Sequence, residues 1–422
     1  MLQIRSVTDR VRSRRRMLGG RPRAIAVLIT ALVLAAVPLI GSARTASLAN
    51  RAGGYVESTT EAGHYDYAGL VHVHTAYSDD ATGTYEDLAR VAGDQGIRFL
   101  VVTDHDTLKA IEDGKQGWRE GVLMLTGVES ARPEGHLLGM DITTAPSDRE
   151  IPTSSYLESI EAQGGLTILA HPAHRKWAWE GPIDDRIDGI EILNLADQFY
   201  AAPLEAKLTA IAMLPVNRMA GYLELGTNAA PALRIWDRIT QERRFVGLYA
   251  ADLHQAIELW GEEKMVFPPA KDVMRIARNH IVSAKPFSGE VTADSALVYG
   301  AIRAGHLYVA LDVLADSTGF MFKASNREAV AWMGDELLAG PGTRYTVELP
   351  PNAQRLGAVV RVLRNGGEVA QSRPGQRIFH YDDDRPGVYR VEVTTLVPTA
   401  FGADRELTWI YANPIYARAS TD

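Results

Sequence analysis

Val71-His72-Val73-His74-Thr75-Ala76-Tyr77-Ser78-Asp79-Asp80 ends the first apolar run in the body of the chain. A β-strand alternates its side chains between two faces, so this spelling puts His72 and His74 on one face with valines opposite. Two imidazoles at i and i+2 can share one cation. The ending then recurs in other spellings: Thr103-Asp104-His105-Asp106, Gly127-Val128-Glu129, Gly135-His136, Leu169-Ala170-His171-Pro172 and Ala251-Asp252-Leu253-His254. Each follows or opens a short apolar run. Runs over 69–74, 98–103, 121–128, 136–141, 165–170, 188–193, 245–250 and 281–284 alternate with helical stretches over 85–95, 107–119, 154–163, 229–243, 271–279 and 293–304. That alternation predicts an α/β protein of parallel strands with crossover helices. Seven or eight units suggest a (β/α) barrel, which gathers its strand C-terminal ends at one mouth.

The pattern changes near residue 315. Strands are expected over 345–349, 357–363, 368–372, 387–393 and 407–411, with Asn365-Gly366-Gly367 as a hairpin turn. The expected domains are an export leader or anchor over 1–50, the barrel over 51–314 and a small antiparallel β domain over 315–422.

A lone strand-end histidine is most often a hydrogen-bonded structural residue. Here six of eleven histidines lie at strand ends, beside Asp79, Glu129 and Asp252. That number of imidazoles and carboxylates exceeds the needs of one four-coordinate ion and points to two or three ions with a bridging carboxylate. The chain has no cysteine, which excludes thiolate ligands, disulfides and cysteine nucleophiles. Imidazole and carboxylate accept Zn, Mn or Fe.

These motifs, His72-Val-His74…Ser78-Asp79, Thr103-Asp104-His105, Gly127-Val-Glu129, Ala170-His171-Pro172 and Asp252-Leu-His254, resemble those of the PHP (polymerase and histidinol phosphatase) metallohydrolases. The resemblance covers about residues 67–310. It implies a distorted (β/α)7 barrel and a multinuclear site. Carried over, His72, His74, Glu129 and Asp252 would hold one metal, and Glu129, His136 and His171 a second. Asp79, His105 and His254 would hold a third. With its C-terminal segment, which ends Trp409-Ile-Tyr-Ala-Asn413-Pro-Ile-Tyr416, the chain also resembles exported PHP-type hydrolases, including those grouped with carbaryl hydrolase.

Clustered divalent ions lower the pKa of a bound water and stabilise charge on a phosphoryl or carbonyl oxygen. The expected activity is hydrolysis of phosphate esters of small molecules outside the cytoplasm. Cleavage of a carboxyl ester or carbamate at the same site is the alternative, and a non-catalytic envelope binding protein the third. Three residues are catalytic candidates. Asp104 either orients an imidazole or is a capping carboxylate. Arg175 either grips a phosphate or belongs to a basic surface loop. His174 either protonates a leaving group or is an exposed loop histidine, the commoner case. Asn194 ends a strand and faces the mouth. Trp177, Trp179, Phe199 and Tyr200 line an apolar leaving-group pocket or simply pack.

Nine arginines and one acid give residues 1–50 a charge of +8, so the −8 of the whole chain leaves −16 on the rest. The arginines precede an apolar run from Ala24 to Gly41, and then small residues at Gly41-Ser42-Ala43 and Ser47-Leu48-Ala49. This is the layout of an export signal, with an uncleaved membrane anchor as the competing reading. Ser13-Arg14-Arg15-Arg16-Met17-Leu18 matches either a twin-arginine motif or a generic basic segment. Periplasm, envelope or exterior is therefore the expected location, with membrane contact only through an uncleaved leader. A −16 body excludes nucleic acid as the expected partner, which leaves a small-molecule ester.

Overall fold

A computed structural model describes residues 41, 43–46, 63–146, 148–226, 229–258 and 264–419. The expected leader thus lies outside the described residues, apart from a helical turn at 41 and 43–46.

Seven strands close into a barrel: β1 (Tyr65–Val73), β2 (Phe99–His105), β3 (Val122–Arg132), β4 (Gly135–Met140), β5 (Leu166–Leu169), β6 (Gly189–Asn194) and β7 (Val246–Leu253), with β7 pairing back onto β1. All neighbours are parallel except at β4, which is antiparallel to both β3 and β5. The regular (β/α) repeat therefore holds only in part. Only Pro133 and Glu134 separate β3 from β4, which leaves no room for a helix. The helix expected over 107–119 is confined to Lys109–Glu112, and Gly117–Arg119 is a strand antiparallel to β3. Gly114 and Gly117 take φ of 66° and 127°, backbone that a right-handed helix cannot accommodate. The run expected over 281–284 is also outside the barrel. It belongs to β8 (Arg278–Ser283), antiparallel to the first half of β1.

The crossover helices form where caps and apolar spacing agree. α1 (Tyr85–Asp94) starts at Thr84, whose hydroxyl accepts from the Asp87 amide at 3.1 Å, and buries Tyr85, Leu88, Ala89 and Ala92. α2 (Thr153–Glu161) follows β4. Three helices that no periodicity had marked, α3 (Leu195–Ala201), α4 (Leu204–Met213) and α5 (Arg218–Glu224), precede α6 (Ala230–Glu242) between β6 and β7. α7 (Ala270–Ile276) and α8 (Val291–Ala304) flank β8.

Alternate strand residues fill the barrel interior: Tyr67 and Val71, Phe99 and Val101, Leu123 and Leu125, Leu166 and Ile168, Val246 and Leu248 form one apolar cluster. Val298 and Ile302 of α8 join it. Burying each such side chain stabilises the fold by about 1.5–3 kcal/mol. Gly69 belongs to the same row, and a Cβ there would lie 2.2 Å from the Phe99 ring. The intervening residues, among them Leu70, Leu100, Val102, Val122 and Met124, form part of the outer core under the helices.

A two-stranded hairpin, Ile257–Glu258 with Lys264–Met265, follows β7. The strands after β8 are β9 (Leu307–Ala310), β10 (Met321–Ser325), β11 (Val330–Trp332), β12 (Glu336–Leu338), β13 (Arg344–Glu348), β14 (Val359–Arg364), β15 (Gly367–Gln371), β16 (Ile378–Asp382), β17 (Gly387–Val397), β18 (Arg405–Ala412) and β19 (Ile415–Arg418). They pair antiparallel except for β12 with β19. The Asn365-Gly366 turn has the left-handed φ values, 51° and 79°, that a tight hairpin requires. One hydrogen-bonded ladder runs from the barrel through β8 and β9 to β18 and β17. At that junction His280 is fully buried between Asp66, 2.8 Å from Nδ1, and Asp312, 2.9 Å from Nε2. Burial opposes its protonation, but the two carboxylates prevail and raise its pKa to about 10.

Candidate metal centre

The cluster forms at the mouth end of the strands. Along β1 the interior row is Tyr67, Gly69 and Val71, so strict alternation would turn His72 outward with Leu70. The structure reverses this with a bulge. Register slips between Val71 and Val73 against both β2 and β7, and His72 takes φ 62°. The extra residue flips the strand's parity and turns both histidines into the mouth. His171 (φ 26°) and Asp252 (φ 46°) are also left-handed. Such backbone costs on the order of 1–3 kcal/mol per residue and marks functional sites.

Glu129 is the hub. Its Oε2 lies 3.0 Å from His72 Nε2, 3.2 Å from His74 Nε2 and 3.2 Å from His105 Nδ1. Its Oε1 lies 2.8 Å from His136 Nδ1 and 2.9 Å from His171 Nε2. Asp252 Oδ1 is 3.7 Å from both His72 Nε2 and His74 Nε2, and 3.4 Å from His254 Nδ1. Three ligand groups result, each with atoms within 4.8 Å of one another: His72–His74–Asp252, Glu129–His136–His171 and His74–His105–His254. The second brings together the three residues carried over as one set, and the first brings together three of the four carried over as another, with Glu129 in the neighbouring group. Beside the third group stands an oxygen of Asp80, the residue after the expected Asp79: Asp80 Oδ2 is 3.3 Å from His105 Nε2 and 3.4 Å from His254 Nε2. Asp79 and Asp80 are both exposed. The segment has left the strand by this point, so spacing no longer dictates direction.

The donor set fits divalent ions. The Nε2 atoms of His72 and His74 are buried with no hydrogen-bond partner, although Glu129 is close. At these two histidines nitrogen and oxygen converge without the alignment of a donor–acceptor pair, while His136 and His171 hydrogen-bond Glu129 Oε1. Protons occupy the charge balance otherwise. Burial opposes ionisation of both carboxylates, but the surrounding imidazoles, His72 first, hold Glu129 and Asp252 below the usual carboxylate range. Burial likewise opposes charging of His171 and His254, yet Glu129 with Asp252 raises His171, and Asp80 with Asp252 raises His254, each to about 9. His74 goes the other way, to about 3, through burial and the His254 charge.

The surrounding residues correct several expectations. Asp104 touches no imidazole directly. It accepts from the Thr75 amide (2.7 Å), the Thr75 hydroxyl (2.7 Å) and the Ser78 hydroxyl (2.8 Å). Ser78 Oγ in turn lies 3.3 Å from His74 Nδ1 and accepts from the His105 amide. Asp104 therefore positions the turn that carries two ligands. His174 is buried, contrary to the exposed-loop expectation. Its Nδ1 accepts from the Lys176 and Trp177 amides, both at 3.1 Å, and its ring stacks on Trp177 at 4.6 Å. Its Nε2 is 3.9 Å from Asp197 Oδ1. Burial raises Asp197 to about 8 and lowers His174 to about 4, the latter helped by the His171 charge. Arg175 is exposed, and among the described residues no hydrogen bond or ion pair holds it at the cluster.

Glu191 is the residue the motifs did not mark. Its Oε1 is 2.6 Å from His72 Nδ1, and its Oε2 accepts from the His171 amide at 2.6 Å and from Asn194 Nδ2 at 2.9 Å. It fixes the tautomer of one ligand and the backbone of another. An acid inside the apolar run Gly189-Ile-Glu191-Ile-Leu was the available signal. Asn194 also donates to Asp252 Oδ2 and caps α3 through the Asp197 amide.

A closed seven-stranded barrel whose mouth converges six imidazoles on shared carboxylates defines a metal-ligating α/β barrel protein. No family model matches the chain. It is 30% identical over 141 residues to the uncharacterized protein MJ1587 of Methanocaldococcus jannaschii, across 29% of this chain and 80% of that protein. The chain belongs to one family with that archaeal protein. It is 29% identical over 142 residues to a probable phosphatase of Shewanella frigidimarina, across 27% of this chain, and spans about half of that protein's length, 54%. Among solved structures, it is similar to a two-domain protein containing a predicted PHP-like metal-dependent phosphoesterase from Bacteroides vulgatus. That likeness has a TM-score of 0.39 and 12% identity, over 85% of this chain and 99% of the other.

Proposed function

We infer that this chain is a metal-dependent phosphoesterase. The observation that carries the reading is Glu129, a buried carboxylate with five imidazoles divided between its two oxygens. Relatives named as probable phosphatases support the same class. Two or three divalent ions, of Zn, Mn or Fe type, would be held by His72, His74, Glu129 and Asp252, by Glu129, His136 and His171, and by Asp80, His105 and His254. When bound, such ions supply an activated water and neutralise charge building on phosphoryl oxygens.

The chain's own residues do the rest. Glu129 bridges the ligand groups. Glu191 and Asn194 hold His72, His171 and Asp252 in register. Asp104 and Ser78 fix the turn bearing His74 and the start of the loop after His105. Asp197, held largely protonated near neutral pH by its burial, lies 3.9 Å from the His174 Nε2 and can lend a proton at the rim. The aromatic rim of Trp177 and Tyr200 suits an ester with an apolar leaving group. The substrate is a small phosphate ester met outside the cytoplasm, consistent with the basic and apolar segment before residue 50.

Metal-loaded full-length protein assayed on an aryl phosphomonoester, an aryl phosphodiester and an aryl carbamate tests this. Turnover of either phosphoester supports the reading. Turnover of the carbamate alone would transfer the site to carbamate and carboxyl-ester hydrolysis.

A further inference from the structure

The helical insert between β6 and β7 has an unusual surface. Along α4, Leu204, Leu208 and Ile211 recur at i, i+4 and i+7 and are 71%, 59% and 63% exposed. The opposite face of α4 buries Ala210 and Met213. Glu205 is exposed beside Leu204, and Lys207 Nζ donates to the Tyr200 carbonyl at 3.2 Å, so the outward face is an apolar stripe edged by two charges. Contiguous apolar surface of this kind turned to solvent marks a contact with a protein or membrane. On the helix just before it, Phe199 and Tyr200 are also exposed, and aromatic rings of this kind favour the membrane–water boundary.

The end of the N-terminal apolar run is built into this same place. Gly41 closes the run that began at Ala24, and a Cβ on it would lie 2.6 Å from Met213 Sδ, at the end of α4. Thr45 is fully buried, with Asn217 Nδ2 donating to its carbonyl at 2.8 Å and to its hydroxyl at 3.1 Å. Arg44 pairs with Asp404 at 3.1 Å. A segment of bilayer-spanning composition, flanked by arginines, therefore leads to the base of the exposed apolar helix. The rim of the metal centre adjoins it, since the Tyr200 ring lies 5.3 Å from that of His174.

We propose that the outward face of α3 and α4 is a membrane-docking surface that seats the mouth of the barrel against the bilayer to which residues 24–41 lead. The body carries −16, so docking rests on apolar burial rather than on attraction to anionic lipid, and it is insensitive to salt.

The chain has no cysteine, so a single label reports one site. Full-length protein carrying Leu208→Cys, labelled with an environment-sensitive nitrobenzoxadiazole dye, is reconstituted in phosphatidylcholine vesicles with and without lipids spin-labelled near the headgroup. The expected result is blue-shifted emission that the spin label quenches about twofold or more, because the face would lie about 5–10 Å into the headgroup boundary. The same dye at Val330→Cys, exposed on β11, stays unquenched, and high salt changes neither. Introducing Leu204→Glu and Ile211→Glu should abolish quenching at 208 and leave hydrolysis of a soluble aryl phosphate unchanged. Equal quenching at 208 and 330 would overturn the proposal. So would a blue shift at 208 that spin-labelled lipid does not quench, which would mean that protein, not lipid, covers the face.

Discussion

Glu129→Gln keeps the shape of the hub and removes its charge. The side chain is 1% exposed and faces five imidazoles, of which His72 and His171 are held protonated partly by it. Removing one member of a buried charge pair costs about 3–5 kcal/mol. Both imidazoles also face Asp252 and Glu191, and either can release its proton, so the lower end applies. At ~2 °C per kcal/mol for a large domain, the metal-free variant should melt ~6 °C below the parent. The metal-loaded comparison should differ more. The carboxylate bridges the ligand groups, so its loss should cost at least the ~10–100-fold that removing a ligand's outer partner costs in affinity or activity. Melting in chelator, metal content by elemental analysis and aryl phosphate turnover are measured on the same preparations. A variant that binds metal and turns over like the parent would refute the bridging role. A metal-free variant more stable than the parent would refute the charge balance.

Other outcomes follow from the same geometry. Asp80→Asn should weaken metal retention and turnover clearly more than Asp79→Asn; the reverse order, measured on both variants, would restore the sequence-based ligand. Glu191→Gln should lower metal affinity ~10–100-fold, read by chelator competition. pH should act in opposite directions on the two forms. His171 and His254 rise from the ordinary 6.5 to about 9 in the metal-free fold. Their contribution is therefore complete below pH 6.5 and lost as pH climbs through 9. For His171 this is about 3 kcal/mol at 1.4 kcal/mol per tenfold. Melting points in chelator should thus fall across that window, while metal affinity, which requires the same protons to leave, should rise. A flat melting profile in chelator would contradict the imidazolium assignment.

Much of the site was legible because strand ends are local. His105, Glu129 and His136 continue the interior rows of their strands, so period and position sufficed. His72 did not follow its row. The motif reading paired it with His74 correctly, but only a bulge at φ 62° turns that face inward, and no alternation pattern reports a bulge. Asp80 and Asp79 sit where the chain has turned away from the sheet, so one residue decides direction and sequence cannot. Of the two readings of His174, a leaving-group acid or an exposed loop histidine, exposure is excluded by its burial. The loop instead folds back, donating two amides to its ring and laying Trp177 across it. The antiparallel β4 was hidden because a hairpin strand and a crossover strand have the same apolar spelling. β9, β10, β11, β12, β16 and β19 were missed because each is short and little of its spelling is left to show a period.

The unbroken ladder from β1 through β8 and β9 into β18 has a consequence for how the molecule comes apart. Its two halves share backbone hydrogen bonds, and His280 rivets the seam with both ring nitrogens engaged. There is no tether along which they can separate. Heat or denaturant should therefore melt barrel and C-terminal strands together, and a protease cut near residue 315 should yield no surviving barrel. Chain recombination that treats the barrel as an interchangeable cassette would have to carry β18, which lies far downstream of β8 in the chain, along with it.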